Sequence, residues 1–240
     1  MNHDTINMPN NAEDINVADS HLEGIDRPNV SPAVIKRLPR YFRYLRELLR
    51  EGKMRISSGE LSTLMNVTAS QIRQDLNCFG GFGQQGYGYN VNYLYAKICE
   101  ILGVGAGLNA IVIGIGDLGR ALVRSSMFEK RGVDIIGLFD ISPDLIGKSF
   151  GSLSVLHMDT LQDFCEQHHV DFAVLTVPKP VALDVANELI RLDVRGLWNF
   201  TGIELPDNNI IVENVHLGDS LMTLNYKLCA DRKDADEQQD

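Results

Sequence analysis

The apolar run Ile111-Val112-Ile113 breaks into Gly114-Ile115-Gly116-Asp117-Leu118-Gly119 and then continues as a helix-forming stretch. No other feature constrains the fold of this 240-residue chain as strongly. Gly-x-Gly-x-x-Gly between a strand and a helix is the layout of a dinucleotide-binding turn. Gly114 permits the tight turn, Gly116 lets a pyrophosphate approach the backbone, and Gly119 lets the helix pack closely on the strand. A pyrophosphate there would rest on free backbone N–H groups and the positive end of the helix dipole.

The chain beyond the turn extends the pattern. Strands are predicted at 109–114, 133–139, 153–156, 171–177, 195–199 and 210–212, and helices at 117–129, 159–169, 180–192 and near 214–229. Strands alternating with helices make a βαβ series, hence a parallel sheet. Asp140 closes the second strand, 21 residues after Gly119, where an acid accepts hydrogen bonds from the adenosine ribose hydroxyls. An acid at that place favours NAD(H) over NADP(H), whose 2′-phosphate it repels.

The chain ahead of the turn is of another kind. The net charge of −10 divides unevenly along the chain. Residues 31–102 carry ten Lys/Arg against five acids, while the segments before and after them are acidic. One basic segment in an acidic chain points to a local anionic partner or to a solvated basic helix face. Within it, Ser31-Pro32 suits a helix start. Leu38, Tyr41, Phe42, Leu45 and Leu48 recur at helical spacing, and Pro39 is expected to disturb that helix, leaving 31–38 as a lead-in. Ser57 with Glu60 forms a capping box over a short helix, Asn66-Val67 makes a turn, and Thr68 caps a third helix over Ala69–Leu76. That is the helix-turn-helix layout, with the last helix bound for the major groove. Ser70, Gln71, Arg73 and Gln74 are of the types that reach base edges and phosphates. Glycines alternating with aromatics over Phe79–Tyr89 suit a small hairpin, a wing beside the helices.

The organisation expected is a disordered acidic arm over 1–30, a winged-helix domain over 31–106, a Rossmann domain over 107–213, a C-terminal helix over 214–229 and an acidic tail over 230–240. The fold class is thus mixed, an α-helical winged helix-turn-helix followed by an α/β Rossmann domain. No apolar run is long enough to cross a membrane. A polar, acidic N-terminus is not a secretory signal. Cys78, Cys99, Cys165 and Cys229 are scattered without a C-x-x-C, and His168-His169 has no partner at metal spacing. No metal, no disulfide and a reducing cytoplasm are therefore expected.

A dehydrogenase needs a group that moves a proton at the substrate carbon. After the turn the only histidines are His157, His168, His169 and His216, none at the end of an obvious core strand. Tyr93-x-x-x-Lys97 has the spacing of a short-chain dehydrogenase pair, but it precedes the turn and overlaps a helix whose apolar face explains it. A sensor fits these residues better than an enzyme. An NAD-dependent or CoA-type Rossmann enzyme is the competing reading.

The two halves together resemble the Rex family of redox-sensing transcriptional repressors. The resemblance is carried by Ile35–Pro39, Val67–Leu76, Phe79–Gly83, Gly86–Tyr89, the glycine turn, Leu175–Pro178, Trp198–Phe200 and Val212–Val215, which span roughly residues 31–229. It implies a homodimer whose winged helices bind a palindromic operator in double-stranded DNA and whose Rossmann domains read the NADH/NAD+ balance. It implies a C-terminal helix swapped onto the partner subunit, its apolar set Val215, Leu217, Leu221, Met222, Leu224 and Leu228 having no place in a single sheet. NADH would close the dimer and release the DNA, and no residue would be catalytic. Cofactor contacts are implied at Gly114, Ile115, Gly116, Asp117, Leu118, Gly119, Asp140, Thr176, Val177, Pro178, Asn199 and Phe200. DNA contacts are implied at Arg37, Ser58, Thr68, Ser70, Gln71, Arg73, Gln74, Gly86 and Tyr87.

The chain also departs from the family's pattern. Arg73 is followed by Gln74 where the family commonly has Arg-Lys, and Gln84-Gln85 replaces a basic pair in the wing. Fewer phosphate contacts weaken binding and flatten its salt dependence. On the effector side, Ser125 aligns with a tyrosine and His216 with an acid that, in the family, exchanges partners between that tyrosine and an arginine aligned with Arg43. The alternative expectation is therefore a DNA-binding dimer whose NADH response is weakened or lost, or one to which His216 adds a pH dependence.

Overall fold

Ser31 and Pro32 open the first helix of the computed structural model, which describes residues 30–79, 83–84, 88–205 and 210–237. This helix, α1 (Pro32–Arg50), runs unbroken through Pro39, so the expected lead-in at 31–38 is corrected. Pro39 lies on the exposed face, as does Ile35 one turn back, so water can reach the side where proline frees a carbonyl. On the opposite face Leu38, Tyr41, Phe42, Leu45 and Leu48 are buried, and that stripe carries the helix across the proline.

The chain divides into two compact units, the division falling between Val104 and Gly105. In the first, α1 is followed by β1 (Arg55–Ile56), α2 (Ser58–Met65), α3 (Ala69–Asn77), β2 (Gly83–Gln84), β3 (Gly88–Asn90) and α4 (Val91–Leu102). The strands pair antiparallel in the order β1-β3-β2. Asn66, in the left-handed region at φ 50°, ends α2 and turns the chain into α3, which Thr68 caps. Gly88 has φ +68°, and a Cβ on it would lie 2.6 Å from the Ile56 carbonyl oxygen, so only glycine lets β3 approach β1. Leu45, Leu61, Met65, Ile72, Leu94 and Ile98 form the centre of this unit's core.

The second unit contains β4 (Leu108–Ile113), α5 (Asp117–Val123), β5 (Val133–Asp140), β6 (Ser149–Phe150), β7 (Leu153–His157), α6 (Leu161–Gln167), β8 (Phe172–Leu175), α7 (Lys179–Arg191), β9 (Gly196–Asn199), β10 (Ile211–Asn214) and α8 (Leu217–Glu237). Its sheet has the order β10-β9-β8-β4-β5-β7-β6. All pairs are parallel except the β6–β7 hairpin. Counted from β4, the parallel strands read 3-2-1-4-5-6, the doubly wound dinucleotide-binding order. The order reverses between β4 and β8, and ligands in such folds sit beyond the carboxyl ends of the strands at that point.

The helix expected over 117–129 stops at Val123. Ser125 then bends the backbone, its Oγ accepting from the Met127 amide at 3.3 Å, a local bond that competes with the helix. Phe128 turns into the core against Trp198, and a short 3-10 turn closes on Gly132 at φ 68°. The C-terminal helix is longer than the expected 214–229 and starts at Leu217. Along it Leu217, Leu221, Met222, Leu224 and Leu228 are each more than half exposed.

Candidate functional site

The glycine turn lies at the carboxyl end of β4, and its three glycines are needed for three different reasons. Gly114 has φ +91°, and a Cβ there would meet the Thr176 carbonyl oxygen at 2.9 Å. Gly119 is buried, and its Cβ would lie 2.1 Å from the Gly114 carbonyl oxygen, so α5 packs on the strand only through glycine. Gly116 is exposed, and its Cβ would meet nothing within 4 Å. The first two positions are closed by protein. The third is open space beside the backbone, which is what a pyrophosphate requires.

Asp140 holds this turn from the next strand. Its Oδ2 accepts from the Ile115 amide at 2.6 Å and its Oδ1 from the Ser142 amide at 2.8 Å. A carboxylate offers about four acceptor sites, so two remain open. Thr176 holds it from β8's end, its hydroxyl donating to the Gly114 carbonyl at 2.6 Å. That hydroxyl has a single proton, so Thr176 positions the turn and offers a ligand only its lone pairs. Val177 flanks Gly114 and Pro178 caps α7.

Asn199 is buried and fully engaged. Its Nδ2 donates to the Ile203 carbonyl and to Asn214 Oδ1, both at 2.7 Å, and its Oδ1 accepts from the Thr201 amide and hydroxyl. It ties β9 to β10 and to the following loop. Phe200 stacks edge-on against Trp198. Asp117 is fully exposed and pairs with Arg120, and Leu118 is half-buried. Ser125 bends the chain after α5, and the His216 carbonyl accepts from the Asp219 amide at the start of α8.

The first unit has its own organising group, and sequence reasoning missed it. Asp75 on α3 is completely buried and accepts four hydrogen bonds. Arg37 donates from Nε to Oδ2 and from Nη2 to Oδ1, both at 2.7 Å. Tyr41 OH donates to Oδ2 at 2.9 Å and Gln71 Nε2 to Oδ1 at 2.8 Å. Burial pushes the Asp75 carboxyl up, but the bonds from Arg37, Gln71 and Tyr41 outweigh it and hold it below the usual carboxylate range. Burial and the bond to Asp75 push the Tyr41 phenol up. Arg40, one turn on from Arg37, donates to the Met65 carbonyl at 2.5 Å and so closes the end of α2. Two of the basic residues of α1 thus staple it to both helices of the helix-turn-helix.

The remaining DNA candidates lie outward. Ser70, Arg73 and Gln74 are exposed on α3, and Thr68 is exposed at its cap. Ser58 at the start of α2 accepts from Arg73 Nη1 at 3.1 Å. Arg43 is exposed, its guanidinium 5.7 Å from the Tyr44 ring centre. Gly86 and Tyr87 lie outside the described residues. Tyr93 and Lys97 are on α4 in this unit, Lys97 paired with Glu100 at 2.6 Å. Among the described residues no three His, Cys, Asp or Glu gather as a metal site, and no helix is long and apolar enough to cross a membrane.

Two families match the chain in parts. Residues 29–77 match the family described as "Putative DNA-binding protein N-terminus", and residues 107–203 match that described as "CoA binding domain". The redox-sensing transcriptional repressor Rex of Caldicellulosiruptor saccharolyticus is 50% identical over 203 residues, 84% of this chain and 93% of that protein. The Rex of Thermoanaerobacter pseudethanolicus is 50% identical over 204 residues, 84% of this chain and 91% of that protein. Among solved structures, the Rex-family repressor RSP in complex with β-NAD+ and operator DNA is 48% identical, with a TM-score of 0.80 over 88% of this chain and 98% of that one. RSP in complex with β-NADH is 45% identical, with a TM-score of 0.81 over 87% of this chain and 98% of that one.

Proposed function

The chain belongs to the Rex family of redox-sensing transcriptional repressors, and on that premise we propose that it binds operator DNA through its first unit and reads the NADH/NAD+ balance through its second. The observation that carries the reading is one chain holding both an outward α3 face of Ser70, Arg73 and Gln74 and a glycine turn left open at Gly116. The relatives are named as repressors, which points away from enzymatic work, and RSP is known with NAD+, NADH and operator DNA.

NAD(H) fits the residues present. Its pyrophosphate takes the open space at Gly116, over the turn that Thr176 and Asp140 hold rigid. Its adenosine ribose takes the free lone pairs of Asp140, whose charge rejects a 2′-phosphate. Asp117, Leu118, Val177, Pro178 and Phe200 line the remaining approach, while Ile115 is buried and gives its amide to Asp140. Asn199 shapes that wall without spending a hydrogen bond on the ligand. The nicotinamide supplies only its redox state; no residue here needs to move a proton.

On the DNA side, Arg73 and Gln74 reach base edges, while Ser58, Thr68, Ser70 and Arg37 position the helix on phosphates. Arg37 has three guanidinium N–H donors beyond the two given to Asp75. The molecule works as a homodimer. On α8 the residues Leu217, Leu221, Leu224 and Leu228 repeat at alternating steps of four and three and are each more than half exposed, so a second copy must cover them. The helix is swapped onto that copy. Two recognition helices then face half-sites about one helical turn of DNA apart, roughly 34 Å. NADH shifts the dimer away from that spacing. The setting is cytoplasmic.

The test is fluorescence anisotropy of a labelled palindromic duplex titrated with the protein at fixed salt. Nanomolar binding that Arg73→Ala weakens at least tenfold supports the reading. Binding indifferent to Arg73 overturns it and restores the Rossmann-enzyme alternative. Light scattering gives the dimer, and Leu221→Lys with Leu224→Lys is expected to make it a monomer.

A further inference from the structure

Gln71 occupies the third position of α3, where side chains of a recognition helix reach the bases. A free glutamine is ambiguous there, because its amide can offer either the oxygen or the nitrogen to a base edge. Here the ambiguity is narrowed from below, because one of the two Nε2 protons is spent inside the protein. The partner of the Gln71 amide is the Asp75 carboxylate, which can only accept, so the atom facing it at 2.8 Å is Nε2. The carboxylate is fully buried and held in place by Arg37 and Tyr41, and each of its oxygens already takes two bonds. It cannot rotate away from Gln71 without breaking the three bonds from Arg37 and Tyr41. Gln71 itself is half-buried, and its Oε1 accepts nothing from the described residues.

We propose that Asp75 fixes the hydrogen-bonding sense of Gln71, so that Gln71 turns its amide oxygen toward the operator and selects, on the strand it faces, a base with a major-groove amino group over one with a keto oxygen. Adenine and cytosine present that amino group; guanine and thymine present an oxygen in its place. Asp75 is then a positioning residue for base selection as well as the pin between α1 and α3. The proposal rests on the proposed function, in which α3 enters the major groove.

The experiment measures affinity for operators carrying each of the four base pairs at every half-site position, with the wild type and with Gln71→Met, at one salt concentration. At one position per half-site the wild type prefers adenine or cytosine to guanine and thymine on the same strand. Gln71→Met levels that position and leaves the others unchanged. A second arm needs no variant fold: replacing the preferred base by its analogue without the amino group (purine for adenine, 2-pyrimidinone for cytosine) costs the wild type about fivefold to tenfold and costs Gln71→Met nothing. The proposal is overturned if Gln71→Met leaves every position's preference intact, if the position it levels prefers guanine or thymine, or if the analogue costs the wild type nothing. Failure of the proposed function looks different, since Arg73→Ala would then leave operator binding as it was.

Discussion

Each of the two units is organised around one aspartate, and the two are satisfied in opposite ways. Asp140 accepts only backbone amides, from Ile115 and Ser142. Asp75 accepts only side chains, from Arg37, Tyr41 and Gln71. The first fixes the path of the main chain, and with the Thr176 hydroxyl it sets the shape of the glycine turn. The second fixes the directions of side chains and joins α1 to α3 across 34 and 38 residues of sequence. A backbone-built site suits a ligand such as a dinucleotide, whose phosphates are read by N–H groups. A side-chain-built site suits DNA, whose sequence is read by side chains held in one orientation.

The difference is broken most severely at Asp75. Asp75→Ala strands the Arg37 guanidinium, the Tyr41 hydroxyl and the Gln71 amide, and loss of one partner from a buried pair costs about 3–5 kcal/mol. Denaturant unfolding is expected to show that loss, and operator binding to disappear, while NADH affinity by calorimetry stays within about twofold. A lost NADH affinity would mean that the two units are not separately organised.

The glycines sharpen the contrast inside the turn. Gly119→Ala forces a methyl group against the Gly114 carbonyl, a contact of 2.1 Å with backbone that cannot give way. Overpacking of this kind costs about 1–3 kcal/mol, and NADH binding is expected to be lost with it. Gly116→Ala meets no protein atom, so the unfolding midpoint stays and only NADH affinity falls, at least tenfold. Equal stability losses at both positions would contradict the assignment of Gly116 to the ligand.

Asp140→Ala has a milder effect. It frees the Ile115 and Ser142 amides, at about 1–3 kcal/mol for donors left without partners, and removes the charge proposed to reject a 2′-phosphate. The ratio of NADH to NADPH affinity should fall toward one in calorimetric titrations. The smallest effect is that of pH. The folded Asp75 carboxyl lies below its unfolded value of about 3.9, so its stabilisation is complete above that value. It is lost as the pH falls toward the depressed folded value. Unfolding of the first unit followed between pH 5 and pH 2 should therefore show an acid loss that Asp75→Asn lacks.

The same contrast explains what could be read from the sequence. Gly114, Gly116, Gly119 and Asp140 sit at spacings dictated by backbone geometry, so a linear pattern reveals them, and the strand order follows from the βαβ series. The capping box of Ser57 and Glu60 is equally local, and Lys53 with the Ser57 backbone holds the Glu60 carboxyl down to about 2. Asp75 has no such signature. Its partners Arg37 and Gln71 read as surface residues of a basic, DNA-facing segment, and only the folded chain, which brings α1 and α3 to the one buried carboxylate, shows that both bond to it. Thr176 and Asn199 likewise read as ligand contacts, and their bonds to Gly114 and Asn214 depend on β8 lying beside β4 and β9 beside β10. The end of α5 at Val123 escaped because Ser125, Met127 and Phe128 have ordinary helix-compatible spacing until Phe128 finds Trp198.

The central claim is that the state of the glycine turn decides whether the α3 face holds DNA. Its most direct test is anisotropy of a palindromic operator bound by the full chain, titrated in parallel with NADH and NAD+ at fixed salt. The account predicts that NADH weakens operator affinity at least tenfold, that NAD+ leaves it within about twofold, and that Gly116→Ala abolishes the difference. Equal affinity with NADH, with NAD+ and with neither would contradict it.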